Sequence, residues 1–319
     1  MSGDGRRVVA IGGGHGLSRV LAACRHLGLA PTAVVTVADD GGSSGRLRRD
    51  LGIIALGDLR MALLALARNE ALADALAHRF ERGHLQGHAL GNLLLVAMTE
   101  AADGDVLRAL RRAETLLECD GAVLPSTTAP VHIAARVSGN RLSGQANITQ
   151  SGGRLESIWL EPDDPPACAE AVDAVRRADV VVLGPGSLFT SVVVNLLVTD
   201  LCRAVCETDA LLVHVANVQA PPGETSQLAL RDHVDVLNST LGGRRIDVVV
   251  VHQGPRPPGP GTPLAPLAPL PGGPRVVAAD LLHRDHDDRL RPAHDPARLA
   301  EALRRAMAPM PAPWGAGAT

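Results

Sequence analysis

Residues 8–18, VVAIGGGHGLS, run an apolar, β-branched stretch straight into four glycines within five residues, broken only by His15. This arrangement leaves the chain few folds to choose from. The apolar run reads as a buried strand, the glycines permit a tight turn, and the periodic apolar residues of LSRVLAACRHLG, ending at Gly28, read as a helix. TAVVTVA then supplies a second strand. Strand, glycine loop, helix and strand in succession open a doubly wound parallel sheet. With 319 residues the chain is long enough to enclose a site on such a sheet.

The α/β rhythm returns in the second half: helix ACAEAVDAVRRA, strand DVVVLG, loop PGS, one long helix over LFTSVVVNLLVTDLCRAV, strand ALLVHVAN, a helix around TSQLALRDHVDVLNST and strand IDVVVVH. Between the halves, residues 38–56 read as a long polar loop, residues 57–113 as helical pieces, and VHIAARVSG, RLSGQANI and SIWLEP as hairpin strands on a flank. The expected class is α/β, a Rossmann-like, doubly wound, mostly parallel sheet with a small β-rich flank. Residues 1–253 form its nucleotide-binding core. Residues 254–274, with nine prolines, form a Pro-rich linker, and residues 275–319 a C-terminal strand and helix that pack back on the core.

Composition removes several chemistries. All 31 basic residues are arginine, so neither a P-loop lysine nor a Schiff base is available. There is no tyrosine, and Phe80, Trp159, Phe189 and Trp314 are the only other aromatics, too few for the stacking platforms of single-strand binders. A net charge of −3 lacks the footprint of a nucleic-acid partner. The five cysteines form no CxxC pair and suit buried thiols in a reducing compartment. No apolar run approaches the roughly 20 residues of a membrane span, and no signal-peptide pattern opens the chain. These features point to a cytoplasmic protein without membrane insertion.

Three stretches carry candidate binding chemistry. GGGHGLS departs from G-x-G-x-x-G, because counting from Gly12 or Gly14 the last position is Leu17 or Arg19. It still sets backbone donors at a helix N-terminus, with Ser18 as a candidate cap. In ADDGGSSGRLRR, Asp39 and Asp40 offer carboxylates to a ribose hydroxyl or a metal, while Ser43, Ser44, Gly45 and Arg46 suit oxyanions. In VVVLGPGSLFTS, Gly184, Gly186 and Ser187 make a second anion-ready terminus on the same sheet edge, and two such termini would receive a diphosphate between them. His84 and His88 are four apart, but no acidic residue stands at the HExxH position and Gly87 separates them, so they read as hydrogen-bonding or capping residues, and the acidic tail HRDHDDRLRPAHD as a solvated loop.

Taken in order, GGGHGLS, VTVADDGGSSGRLR, GDLRMALLALA, GHALGN, VLPST, VLGPGSLFTS and PPGET resemble the gluconeogenesis-factor family (YvcK-like proteins), distant relatives of 2-phospho-L-lactate transferase. The resemblance implies a crevice at the C-terminal strand ends, a cytoplasmic location, a role in bacterial growth on gluconeogenic carbon and in cell shape, and binding of a nucleotide sugar, UDP-N-acetylglucosamine in particular. The expected ligand-binding set is Gly13, Gly14, His15, Gly16, Asp39, Asp40, Ser43, Ser44, Gly45, Arg46, Asp58, Gly184, Gly186, Ser187 and Asn217, with no catalytic residue and no assigned metal ligand. Where the family has GDIRN this chain has Gly57-Asp58-Leu59-Arg60-Met61. Ala220 and Pro221 follow Asn217-Val218-Gln219 in place of the usual Met-Thr-Gln order, and Ala293 replaces the Arg of Arg-His-Asp, with Arg291 as a substitute guanidinium.

Three readings follow. The first is a non-catalytic regulator that binds a nucleotide sugar, acts through a regulatory protein partner and leaves a homodimer open. The second is a phosphotransferase in which Asp39 or Asp40 holds Mg²⁺. The third, a nicotinamide-cofactor protein, is disfavoured by the incomplete fingerprint.

Overall fold

The computed structural model describes residues 5–220, 223, 225–264 and 272–309. The first half runs β1 (Val8–Gly12), α1 (Gly14–His26), β2 (Thr32–Val35), α2 (Gly42–Leu51), α3 (Gly57–Leu66), α4 (Glu70–Ala77), α5 (Leu90–Glu100), α6 (Val106–Leu117) and β3 (Ala122–Pro125). A flank of β4 (His132–Val137), β5 (Asn140–Ser143), α7 (Gln145–Gln150) and β6 (Leu155–Glu161) follows. The second half runs α8 (Ala169–Arg176), β7 (Val180–Leu183), a π-turn over Leu188–Val193 that continues as α9 (Val194–Leu196), α10 (Thr199–Glu207), β8 (Leu211–Val215), β9 (Gln219–Ala220), α11 (Leu230–Thr240) and β10 (Val248–His252). The chain closes with β11 (Thr262–Pro263), β12 (Arg275–Ala279), β13 (Leu282–Arg284), β14 (Leu290–His294) and α12 (Pro296–Met307).

Seven parallel strands form the central sheet in the order β12-β10-β8-β7-β1-β2-β3. Their sequences explain the arrangement: VVAIG, VVVL and VVVVH are buried at every residue, as strands covered by helices on both faces must be. The order reverses direction between β1 and β7, which creates the switch point where doubly wound sheets bind ligands. The expected α/β, Rossmann-like class is therefore the observed one. The flank is a separate antiparallel sheet, β5-β4-β6. β12 pairs with β10 in the central sheet, and α12 packs against α1, its first N–H groups capped by Asp295 Oδ1.

The structure corrects several local expectations. Residues 38–56 are not one long loop, because α2 occupies Gly42–Leu51. The helix carries no apolar stripe; the residues it buries are Ser43, Ser44, Gly45 and Arg48, so hydrophobic periodicity had nothing to detect. Residues 145–148 of the expected strand RLSGQANI belong instead to α7. The long helix of the second half breaks at Val198, whose backbone is extended, and its two parts meet at 82°. That bent pair passes a membrane-span test only when both parts are taken together, and no single helix among the described residues is long and apolar enough to cross a membrane. Ser18 does not cap α1, since its hydroxyl donates back to Gly14 O at 3.2 Å and to Met61 O at 3.3 Å.

Part of the Pro-rich stretch is described. Thr262–Pro263 pair antiparallel with Gln219–Ala220, Gln219 Nε2 donates to Pro258 O at 3.2 Å, and Leu264 is buried. Residues 265–271 of the expected linker and 310–319 of the expected C-terminal unit lie outside the described residues.

At the switch point α1 and the loop after β7 approach so closely that a Cβ at Gly16 would lie 2.3 Å from Pro185 O, a backbone atom with little freedom to move. Gly16→Ala is expected to lower unfolding stability by about 2 kcal/mol, read as a shift in the urea midpoint at unchanged slope. An unchanged midpoint would show that the two loops separate freely.

Candidate functional site

The glycine loop is fixed by its neighbours. Gly12 O accepts from Thr36 N–H at 3.0 Å and from Asn195 Nδ2 at 3.2 Å, which ties the end of β1 to β2 on one side and to α9 on the other. Gly13 is extended, and Gly14 opens α1 in the left-handed region at φ 62°. A Cβ at Gly13 would stand 2.5 Å from Asp58 Oδ2, so glycine is required for the Asp58 carboxylate to reach this loop. His15 follows on the exposed side of the first turn.

Asp58 lies in the first turn of α3 and is 8% exposed. Burial pushes its pKa up to about 7, the Asp39 charge adds to the rise, and a hydrogen bond from Gly14 N–H and the Arg60 charge oppose it. Asp39 is raised in the same direction by burial, against a bond from Gly41 N–H at 2.9 Å and another from the Ser44 hydroxyl. Arg48 and Arg60, both buried, face these carboxylates, and burial depresses both guanidinium pKa values. Arg48 Nη2 donates to Val131 O, while its Nη1 has no partner among the described residues. Spacing alone carries the signal for Arg48, which lies one helical turn after Ser44 on the same buried face of α2.

The remaining residues of the acidic stretch separate. Asp40 reaches the flank, where its Oδ1 accepts from Ala146 N–H at 3.2 Å, and its charge acts on both Asp39 and Arg48. It thereby ties α7 to the site, and Asp58 adds a further carboxylate beside Asp39. Ser43 is buried against α5, its hydroxyl bonded to Asn92 Nδ2 at 3.0 Å and to His88 Nδ1 at 3.1 Å, which assigns His88 its hydrogen-bonding role. Ser44 is buried beside Asp39 and Gly57. Gly45 N–H donates to Gly41 O, and Arg46 Nη2 to Gln86 O at 2.7 Å. Ser43 and Arg46 thus brace this corner of the site from within.

On the opposite side, Gly184 N–H donates to Ile11 O at 3.0 Å. Asn217 grips Gly186 twice, accepting from its N–H at 3.0 Å through Oδ1 and donating to its carbonyl at 2.8 Å through Nδ2. The Gly186 N–H is thus taken within the protein, and Gly16 lies close against Pro185 at the base of the two loops. Ser187, half-buried, begins the π-turn on the open side. Arg291 pairs with Asp285 within the β13–β14 hairpin, and the cation near the buried His294 is instead Arg19 of α1.

A family model described as 2-phospho-L-lactate transferase CofD matches residues 8–260. The chain belongs to the CofD family. Among its relatives, the gluconeogenesis factor of Bacillus subtilis is 41% identical over 253 residues, 78% of this chain and 80% of that protein. A relative from Deinococcus radiodurans is 41% identical over 312 residues, of which this chain spans 65% of the length. A crystal structure of a Bacillus halodurans protein superposes with a TM-score of 0.85 at 34% identity, covering 94% of this chain and 99% of that one. Within the CofD family, then, this chain is similar to gluconeogenesis factors, as its motif order implied.

Asp58 gives the fold a defined pH dependence. Its pKa is raised from the ordinary carboxylate range to about 7, so the folded state holds the proton more tightly than the unfolded state. That contribution to stability is complete below about pH 4 and is lost as pH rises through about 7. Asp58→Asn is expected to be more stable than the wild type at pH 8 by about 2 kcal/mol and to flatten the melting profile between pH 4 and 8. Identical profiles for the two proteins would place the charged Asp58 in solvent.

Proposed function

We propose that this protein is a cytoplasmic regulator that binds a nucleotide sugar of the UDP-N-acetylglucosamine type, with a part in growth on gluconeogenic carbon and in cell morphogenesis. The observation that carries the reading is the make-up of the crevice. Backbone donors and the N-terminus of α1 suit phosphate, and the carboxylates of Asp39 and Asp58 suit hydroxyl donors. His15, exposed in the first turn of α1, is the side chain that would meet a phosphate bound there. The similarity to gluconeogenesis factors supports the same assignment. Binding at the switch point would transmit to a partner through loops that bear on each other, since Gly13, Asp58, Gly16 and Pro185 are in contact.

A second reading, a Mg²⁺-dependent phosphotransferase, is favoured by the CofD match and by one feature of the site. Buried Asp58 and half-buried Asp39 are neighbouring carboxylates, the Asp39 charge raising Asp58, a donor set that suits Mg²⁺ when phosphate oxygens complete the shell. When bound, the ion would neutralise charge on a transferring phosphoryl group. Under this reading Asp39 and Asp58 hold the ion, and the α1 N-terminus steadies the phosphate.

Calorimetry with UDP-N-acetylglucosamine, GDP, NAD and NADP, with and without Mg²⁺, separates the readings. The regulator is expected to bind the UDP-sugar without requiring Mg²⁺, and to turn over none of the four. Asn217→Ala, which frees the Gly186 loop, is expected to weaken that binding about tenfold. Failure of the wild type to bind any UDP-sugar rejects the regulator, and Mg²⁺-dependent nucleotide turnover with a phosphorylated acceptor establishes the transferase.

A further inference from the structure

The end of the central sheet opposite the crevice carries two adjoining cavities, of about 850 and 620 Å³. Val180, Leu211, Val248 and Arg275, the first residues of β7, β8, β10 and β12, line the smaller one. The larger lies against α11, which contributes Arg231 and Asp235. Arg245 and Ile246 belong to the wall of both, so the two cavities together make one elongated groove.

The charges along this groove are unevenly matched. Arg7 holds Asp179 in a fork, Nε to Oδ2 at 3.1 Å and Nη2 to Oδ1 at 2.8 Å, and Arg244 grips both oxygens of Asp247 at 3.1 and 2.9 Å. Both carboxylates of the smaller cavity are therefore satisfied by arginines that do not line it. Arg245 and Arg275 are anchored instead by neutral carbonyls. Arg245 Nη1 donates to Gly272 O at 3.3 Å, and Arg275 Nη2 to Ala306 O and, at 3.4 Å, to Ala308 O. Neither makes an ion pair among the described residues. The exposed Arg231 meets Asp235 only at 3.9 Å, a solvent-screened contact that hardly reduces its charge. Carbonyl anchors fix a guanidinium in place without cancelling it, so a chain of net charge −3 keeps three cations along one groove.

We propose that this groove docks an extended acidic segment of a partner protein. The placement of the cations selects that occupant. Arg231 belongs to one cavity, Arg275 to the other and Arg245 to the wall between them, so positive charge is spread along the groove and does not converge on one point as a compact polyanion requires. An extended peptide of alternating acidic and apolar residues sets its carboxylates on one side and its apolar side chains on the other. The guanidinium groups receive the carboxylates, and the half-buried Leu211 and Met307 offer apolar surface beside Arg275. The groove lies at the opposite ends of the strands from the glycine loops, and the inference stands independently of what the crevice binds.

Fluorescence anisotropy on the full chain tests it, with labelled decapeptides of alternating Glu and Leu and of alternating Lys and Leu as probes. The Glu-Leu peptide is expected to bind, more weakly as salt rises, and the Lys-Leu peptide is expected not to bind. Arg245→Glu, at an exposed position, is expected to weaken the Glu-Leu peptide about tenfold, to create affinity for the Lys-Leu peptide and to leave the melting temperature unchanged. A merely structural arginine would lower the melting temperature on replacement and leave the Lys-Leu peptide unbound. Equal affinity of the wild type and Arg245→Glu for the Glu-Leu peptide, or no affinity of the wild type, overturns the proposal. Inorganic tripolyphosphate that binds the wild type, excludes the peptide and fails to bind Arg245→Glu would overturn it in favour of a small polyanion. Self-association of the wild type that the same variant abolishes would overturn it in favour of a second copy of this chain.

Discussion

Asp58 is buried where the first turn of α3 meets the opening of α1, and much of the surrounding structure follows from the need to accommodate its carboxylate. Gly13 must lack a side chain because Asp58 Oδ2 stands where a Cβ would be. Gly14 must present its N–H, and its positive φ starts the helix in the orientation that does so. Asp39 brings a second carboxylate near the first, and the buried Arg48 and Arg60 supply opposing charge from α2 and α3. Buried charges are tolerated only when dipoles and counter-ions meet them. Here the dipoles are helix N-termini, which doubly wound topology gathers at the C-terminal ends of the strands.

The other half of the crevice is organised by backbone contact. Gly16 and Pro185 touch, Gly184 bonds to Ile11 O, and Asn195 reaches from α9 to Gly12 O. The two loops at the switch point therefore form one rigid floor, whose upper edge is held by the double grip of Asn217 on Gly186. α7 is tied on one side by Asp40 and lies against Gly223 on the other.

The parts of this arrangement that were legible in the sequence are those encoded locally. Val8–Gly12 followed by the glycine loop, the Asp39–Gly41 stretch and Gly184–Ser187 read correctly as a strand and loops on one sheet edge, because fully apolar strands and the alternation of strand and helix fix the topology. What escaped the sequence depends on side-chain direction. Helix α2 has no apolar stripe, since its buried face is two serines and an arginine, so periodicity pointed to a loop. Adjacent Asp39 and Asp40 offered the same chemistry in the sequence, yet Asp39 accepts from the Ser44 hydroxyl and Asp40 from Ala146 N–H at the start of α7. Asn217 and Gly186 are 31 residues apart, and neither shows in its local sequence that it serves the other.

The division between Asp39 and Asp40 also bears on how a relative of transferases could lose or keep chemistry. A paired carboxylate that binds metal needs both side chains to face the phosphate, whereas here the chain uses one of two neighbouring aspartates to fasten α7 and draws a further carboxylate from α3. Held by one carboxylate at one end and lying against Gly223 at the other, α7 links the acidic loop to the β8 side of the sheet. The Pro-rich stretch joins that same side through its pairing with Gln219–Ala220, so a segment distant in sequence is packed into the surroundings of the glycine loops.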